Sequence, residues 1–333
     1  MTKAIALFSG GLDSILAVKL MLEQDIEVEA INFVTVFCTL HAHGKTCLAS
    51  KSAALELGIK LKVFKVSKEY FEVIKNPKHG YGSNINPCLD CRIFMLKKAY
   101  HYMKETGAQF LVTGEVLGQR PMSQRKDAMR IIERDSGLKG LILRPLSAKL
   151  MDSTIPEIEG LVDREKLLSI SGRSRKPQIN LATELGISDY PGPAGGCLLT
   201  DPGFASRMRD LMKHKQDFTI NDIQMLRAGR CFRIAPGAKL IVGRNEEENN
   251  KLLKLAQASD LCFSPTDVNG PIGIGRGIFN NDNIARASSI VARYSDGDLK
   301  QRLKIEYKNI SSSDAKQVTV LPIVPHEIDK FRI

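Results

Sequence analysis

The chain has 333 residues, 43% of them hydrophobic, no tryptophan, and a formal net charge of +11 with a pI of about 9.3. That length and apolar content can fill two packed domains, and the charge favours a polyanionic partner over an acidic small molecule. No apolar run nears the roughly 20 residues of a membrane span and no signal-like stretch precedes the first strand, so a cytoplasmic location is expected, and its reducing conditions exclude a disulfide framework for the seven cysteines.

The apolar run Ala4 to Phe8 reads as a buried parallel strand and Ser9-Gly10-Gly11 as a sharp turn. Asp13-Ser14 then opens a helix that continues through Ile15, Leu16, Val18 and Leu20. Adjacent glycines turn successive backbone N–H groups into one concavity, and the helix dipole adds positive potential, so the loop suits a phosphate chain. Its spacing is neither that of Walker A nor that of a dinucleotide loop. Ile26 to Val34 reads as a second strand, 48–58 as a helix closing at Gly58, and Leu61 to Val66 as a third strand. This rhythm predicts an α/β fold, a doubly wound parallel sheet with its ligand crevice at the strand C-termini. Between the second strand and its helix lie Cys38, His41, His43 and Cys47. They could hold zinc, although the spacing matches no common zinc pattern.

A turn-rich stretch, 76–87, leads into Cys88-Leu89-Asp90-Cys91, with a helix expected over 93–102. A C-x-x-C at a helix N-terminus is expected to have depressed thiol pKa values. Phe110 to Thr113 is the fourth strand, and Gly114, Glu115 and Gln119 follow it as a polar site with a basic lip from Arg120 onward. Ile142 to Leu146 reads as the last strand, with helices expected over 163–170 and 177–186. The turn between them carries Arg173, Arg175 and Lys176, a phosphate-binding composition. These elements make a first domain of 1–186. Residues 187–203, dense in proline and glycine, read as a linker, yet one holding Cys197, which is expected to sit against whatever Cys88 and Cys91 hold. Residues 204–333 read as a second, smaller α+β domain and a basic RNA-binding region. It has a helix at 203–213, a hairpin about Pro236-Gly237, a helix opened by Gly243-Arg244-Asn245, and a short strand amid turns at 270–277.

Ser9 to Ser14 resembles the SGGxDS signature of the PP-loop ATP pyrophosphatases, enzymes that cleave ATP between the α and β phosphates and leave AMP on a substrate oxygen. Asn86 to Cys91 resembles the NPC-x-x-C loop of tRNA-thiolating members, and Gly114 to Gln124 resembles a segment of the tRNA 4-thiouridine synthetases that covers the ATP site. The resemblance spans roughly residues 1–200. It implies that Phe8, Ser9, Gly10, Gly11 and Ser14 cradle the nucleotide phosphates, that Asp13 orients the loop or helps hold Mg²⁺, that Asn32 and Phe33 lie beside adenine, and that Gly114, Glu115 and Gln119 complete the ATP site. Arg120, Gln124, Arg173, Arg175 and Lys176 would meet RNA.

The implied activity is that of an ATP-dependent tRNA uridine sulfurtransferase, with Asp13, Cys88, Cys91 and Cys197 as its catalytic residues and tRNA and a sulfur donor, a cysteine desulfurase or inorganic sulfide, as partners. The three cysteines would either bind three irons of a four-iron, four-sulfur cluster (4Fe-4S) or work as a persulfide and its resolving thiol. Gly243 to Asn249 resembles the NFACT RNA-binding module. No THUMP region precedes the loop, so the region after the linker is expected to grip RNA. With 6% aromatic residues, phosphate contacts to folded RNA are expected over base stacking. Sulfuration or amidation of a small molecule, and RNA binding without catalysis, are the alternative readings.

Overall fold

The computed structural model describes residues 1–38, 45–192 and 197–333, with the backbone alone for 45–48. His41 and His43 therefore lie outside the described residues, as does the side chain of Cys47. The chain divides into two compact units, Met1–Asp201 and Pro202–Ile333. The Pro/Gly-rich stretch falls on both sides of that division, with Cys197 in the first unit.

The first unit is built on five parallel strands, β1 (Lys3–Leu7), β2 (Glu27–Val34), β3 (Lys60–Lys65), β4 (Phe110–Thr113) and β5 (Ile142–Leu143), in the order β3-β2-β1-β4-β5. Successive side chains of a strand leave opposite faces of the sheet, so β1, apolar from Ala4 onward, serves two cores at once. Ala4 and Ala6 pack into one layer with Leu12, Leu16 and Met21 of α1 (Leu12–Leu22), while Ile5 packs into the other with Ile93 and Leu96. The remaining helices of this unit are α2 (Lys45–Glu56), α3 (Ser67–Lys75), α4 (Cys88–Glu105), α5 (Lys126–Ser136), α6 (Ile155–Ile158) and α7 (Lys176–Glu184). α4 and α5 cover the second layer through Leu96, Ala99 and Ile132.

Two expected elements differ. The last strand stops at Leu143 because Arg144 turns its side chain inward to two carboxylates and Pro145 has no N–H to continue the ladder. The helix expected over 163–170 is a single 3-10 turn, Arg164–Lys166, after which the chain runs extended. There the N–H groups of Leu168 and Ile170 donate to the carbonyls of Pro145 and Leu146, at 2.9 and 2.8 Å, so tertiary pairing overrides the local apolar pattern.

The second unit has a six-stranded sheet of antiparallel pairs, ordered β11-β10-β8-β9-β7-β6. Its elements in chain order are α8 (Pro202–His214), α9 (Ile220–Met225), β6 (Arg230–Ala235), β7 (Ala238–Val242), α10 (Glu246–Leu255), β8 (Leu261–Pro265), β9 (Gly273–Gly277), α11 (Asn281–Arg293), β10 (Leu303–Asn309), β11 (Lys316–Val320) and α12 (Pro325–Ile328). Ala287, Ile290 and Val291 of α11 pack onto Phe232, Leu240, Phe263 and Ile305 of the sheet. The β6–β7 hairpin turns at Pro236-Gly237, and the Asn245 side chain caps α10 by accepting from the Glu248 N–H at 2.9 Å. This is the α+β unit expected from the sequence. No helix among the described residues is long and apolar enough to cross a membrane.

The strand order reverses between β1 and β4, so the crevice for a ligand opens where both end. At that point Gly114 lies against the first turn of α1 so closely that a Cβ would stand 2.5 Å from the carbonyl of Asp13 and 2.6 Å from the N of Ser14. Both neighbours are backbone and cannot turn aside. Gly114→Ala is therefore expected to lower the unfolding free energy by about 1–3 kcal/mol in urea titrations. Gly237→Ala, where nothing among the described residues lies within 4 Å, should change it by less than about 0.5 kcal/mol.

Candidate functional site

The loop Ser9–Gly11 joins β1 to α1. Gly10 takes φ +75°, and its missing Cβ lets the backbone of Ser50 in α2 approach to where a side chain would be 2.6 Å from the Ser50 Cα. Gly11 occupies the N-cap of α1 and no side chain caps that helix, so its first N–H groups face the crevice with the positive end of the helix dipole. The Gly11 N–H reaches Ser9 Oγ at 3.3 Å, Ser14 Oγ donates to the Gly11 carbonyl at 2.8 Å, and the two serine oxygens stand 3.3 Å apart. The loop is thus pre-shaped by its own hydroxyls.

Asp13 is held on one side only. Its Oδ2 accepts from Gln119 Nε2 at 2.9 Å, and Gln119 Oε1 in turn accepts from Gln178 Nε2 at 3.2 Å, while Asp13 Oδ1 is buried with no partner among the described residues. A buried carboxylate oxygen left over in this way is a donor for a hard cation such as Mg²⁺. Gln178 was not singled out in the sequence, since a glutamine inside α7 carries no motif; only folding places it behind Gln119. Asn32 is buried with its Nδ2 unpartnered, and Phe33 stacks on Phe64 with centroids 5.5 Å apart. Phe8 is buried and its N–H donates to the Ile31 carbonyl, so this backbone donor belongs to the sheet and not to the loop.

Glu115 has a different place from the one expected in an ATP site. Its side chain is 2% exposed and paired with Arg92 Nε at 2.8 Å and Arg144 Nε at 3.0 Å, and Arg144 also binds Glu133. Burial alone would raise the Glu115 pKa, but the guanidinium groups of Arg92 and Arg144 outweigh it and hold the carboxyl below its usual range. Glu115 is a strut between the end of β4 and α4.

Cys88 and Cys91 lie in the first turn of α4, immediately after Pro87. The Ile85 N–H donates to the Leu199 carbonyl at 3.3 Å and Asn84 Nδ2 to the Thr200 carbonyl at 2.8 Å, which staples the segment after Cys197 to the turn before Cys88. The buried Tyr70 hydroxyl is hydrogen-bonded to Cys91. The three sulfurs, with Cys38 as a fourth, are near enough to raise one another's or Tyr70's pKa. All four cysteines are half-buried and free.

The expected acidity of these thiols does not hold. Burial pushes Cys91 up to about 11 and Cys197 up to about 12, and it raises Cys88 although Arg120 and Arg92 oppose it. Loss of hydration outweighs the helix dipole. Among the described residues no three His, Cys, Asp or Glu side chains could hold a metal ion.

The basic residues expected to meet RNA come from two loops brought side by side. Leu117 bridges Ser171, and the Gly172 N–H donates to the Leu117 carbonyl at 2.7 Å, which sets the loop of Arg120 along that of Arg173, Arg175 and Lys176. Arg120, Arg173 and Lys176 are exposed and Arg175 half-buried. Gln124 does not join this surface. It is buried, and its carbonyl closes the loop by accepting from the Gly118 N–H at 2.7 Å.

Comparison with known proteins accords with this geometry. Residues 1–155 match the family described as thiamine biosynthesis protein (ThiI), and residues 229–332 match the NFACT protein RNA binding domain. The chain is thus similar to ThiI in its first unit and to the NFACT domain in its second. A "probable tRNA sulfurtransferase" of Thermococcus kodakarensis is 31% identical over 144 residues, 43% of this chain and 36% of that protein. The tRNA-specific 2-thiouridylase MnmA of Stutzerimonas stutzeri is 22% identical over 300 residues, 81% of this chain and 80% of that protein. A crystal structure of a 4-thiouridine synthetase in complex with RNA and bound ATP superposes with a TM-score of 0.39 and 20% identity, covering 56% of this chain and 41% of that one. The chain therefore spans little more than a third of the length of the Thermococcus relative.

Two outcomes follow from the buried charges and thiols. Glu115→Gln leaves Arg144 short of one counter-charge and is expected to cost about 3 kcal/mol at pH 7. Because the folded pKa of Glu115 is depressed, its contribution is present above about pH 4.3 and is lost as pH falls through the folded value. Urea titrations of the variant and the parent should therefore converge in acid. In metal-free protein, iodoacetamide should alkylate Cys91 and Cys197 negligibly at pH 7, with the rate climbing towards about pH 11, as mass spectrometry of the labelled peptides would show.

Proposed function

We propose that the chain is an ATP-dependent tRNA uridine sulfurtransferase. A uridine carbonyl is a poor electrophile because its oxygen would have to leave as oxide. Transfer of AMP from ATP to that oxygen releases pyrophosphate and turns the oxygen into a leaving group, after which a sulfur nucleophile takes the carbon and AMP departs. The observation that supports this reading is the gathering of Cys88, Cys91 and Cys197 in the same unit as the serine-glycine loop before α1, with Glu115, next to the Gly114 that abuts the first turn of α1, paired to Arg92 of the helix that bears two of the thiols.

In this reading the N–H groups of the loop and the first turn of α1 hold the ATP phosphates, aided by the hydroxyls of Ser9 and Ser14. Gln119, backed by Gln178, holds one oxygen of Asp13, and the other would be available to a Mg²⁺ ion, which would offset the charge of the departing pyrophosphate. Cys88, Cys91 and Cys197 suit a 4Fe-4S cluster in donor type and burial, because a cluster takes each thiolate on a separate iron and so needs them farther apart than a single ion does. Such a cluster would keep the three buried sulfurs deprotonated and offer one iron free of protein ligands. Arg120, Arg173, Arg175 and Lys176 would meet the tRNA backbone beside the thiols, and the second unit would add RNA contacts of the NFACT kind.

The thiamine biosynthesis label of the ThiI family favours one second reading, the same ATP chemistry with sulfur delivered to a small molecule. Pyrophosphate release separates the two. Under the first reading it is stimulated by tRNA, and Asp13→Ala lowers it about 100-fold or more, while Cys197→Ala removes the thionucleoside from tRNA. Stimulation by a metabolite alone, or a normal thionucleoside content in a Cys197→Ala strain by nucleoside mass spectrometry, would reject tRNA thiolation.

A further inference from the structure

We infer that the cavity between α5, β5 and α6, away from the loop and the thiols, is a binding site for a small organic anion with an apolar body. The cavity holds about 490 Å³, within the range of small-molecule sites of about 300–1,000 Å³, and is lined on its apolar side by Met129, Ile142 and Met151. Its polar wall includes Arg144. That side chain is 2% exposed and uses Nε for Glu115 and Nη1 for Glu133, but its Nη2 is buried with no partner among the described residues. A buried guanidinium N–H without an acceptor is costly, and such groups are found paired in nearly all folded proteins. Arg144 also lines the cavity, so an anion seated there would lie against the guanidinium that lacks this acceptor.

The charges around it point the same way. The carboxylates on its wall are already engaged. Glu133 binds Arg144, Glu157 accepts from the Thr154 N–H at 2.7 Å and binds Arg164, and Asp152 is 3.5 Å from Arg130. Lys126 and Lys139 also line the cavity, are exposed, and make no ion pair among the described residues. The unspent charge at this site is therefore positive, and it sits beside thioether and aliphatic surface. A phosphate monoester or a carboxylate on a planar or aliphatic body meets both, with its head towards Arg144 and the two lysines and its body against Met129 and Met151. The ion pairs Arg144–Glu115–Arg92 lead from there to the first turn of α4, so an occupant would lie two ion pairs away from the thiols.

The test needs no catalytic assay. Full-length protein carrying ¹³C-methyl methionine is titrated with phenyl phosphate, benzoate and uncharged benzyl alcohol while the methyl signals are followed by NMR. Saturable shifts of Met129 and Met151 with either anion, stronger than with benzyl alcohol, are expected, and the tighter of the two anions names the head group. Lys126→Gln combined with Lys139→Gln should weaken that binding about tenfold with the other methionine signals unmoved. Arg144→Lys should weaken it further, and if that variant does not fold, the lysine pair alone decides. Absence of a saturable shift, equal binding of benzyl alcohol, or unchanged affinity in the lysine variant would overturn the assignment.

Discussion

A buried carboxylate between two guanidinium groups holds the working parts of the first unit in register. Glu115 follows the glycine that touches the first turn of α1, and its two oxygens reach Arg92 of α4 and Arg144 beyond β5. Taking these charges from water costs several kcal/mol per ion, so the arrangement persists only because each carboxylate oxygen has its own partner and because Arg144 has a second one in Glu133. An apolar substitute could fill the volume, but it would not set the direction of α4. The ion pairs make the position of the cysteine turn depend on the end of β4, the strand that also sets the loop.

The cysteines illustrate a contest between two electrostatic effects. A helix N-terminus is worth about 0.3–1 kcal/mol to a negative group, which would move a thiol by less than one pH unit. Full burial can move an ionisable group by about 3–5 units. Cys91, at such a terminus, follows the larger effect, and burial raises Cys197, which opens no α-helix, as well. A thiol held protonated in this way is poor at attacking anything by itself, and the site acquires thiolate character only with a positive partner, which Arg92 and Arg120 supply weakly and a metal group would supply strongly. The same burial keeps the unliganded sulfurs from stray oxidation, since reactivity follows the thiolate.

Much of the first unit could be read directly. The Ala4–Phe8 run, the serine and glycines after it and the polar helix start each have a local physical cause, so the β1–loop–α1 element stands within a residue of its expected place. β4 lies where its apolar run ends at Thr113. In the second unit, Asn245 and the turn at Pro236-Gly237 worked in the same local way. The misreadings share a cause. Residues 163–170 have a helix-like apolar pattern, yet their N–H groups find carbonyls beyond β5, a pairing that depends on chain far away in sequence. Glu115 and Gln124 were expected in the site because they lie in a polar, glycine-bearing segment after β4, and both are buried.

By itself the sequence determined the α/β first unit with its anion loop, the α+β character of the second, and the identities of the thiols, because these rest on periodicity, turn chemistry and spacing within a few neighbours. Only the tertiary structure decided that Cys197 comes to the turn of Cys88, that Gln119 and Gln178 leave one oxygen of Asp13 free, and that Glu115 is a strut. Those facts depend on hydrogen bonds and ion pairs between residues tens of positions apart, and on the loss of water around them, which no local pattern encodes.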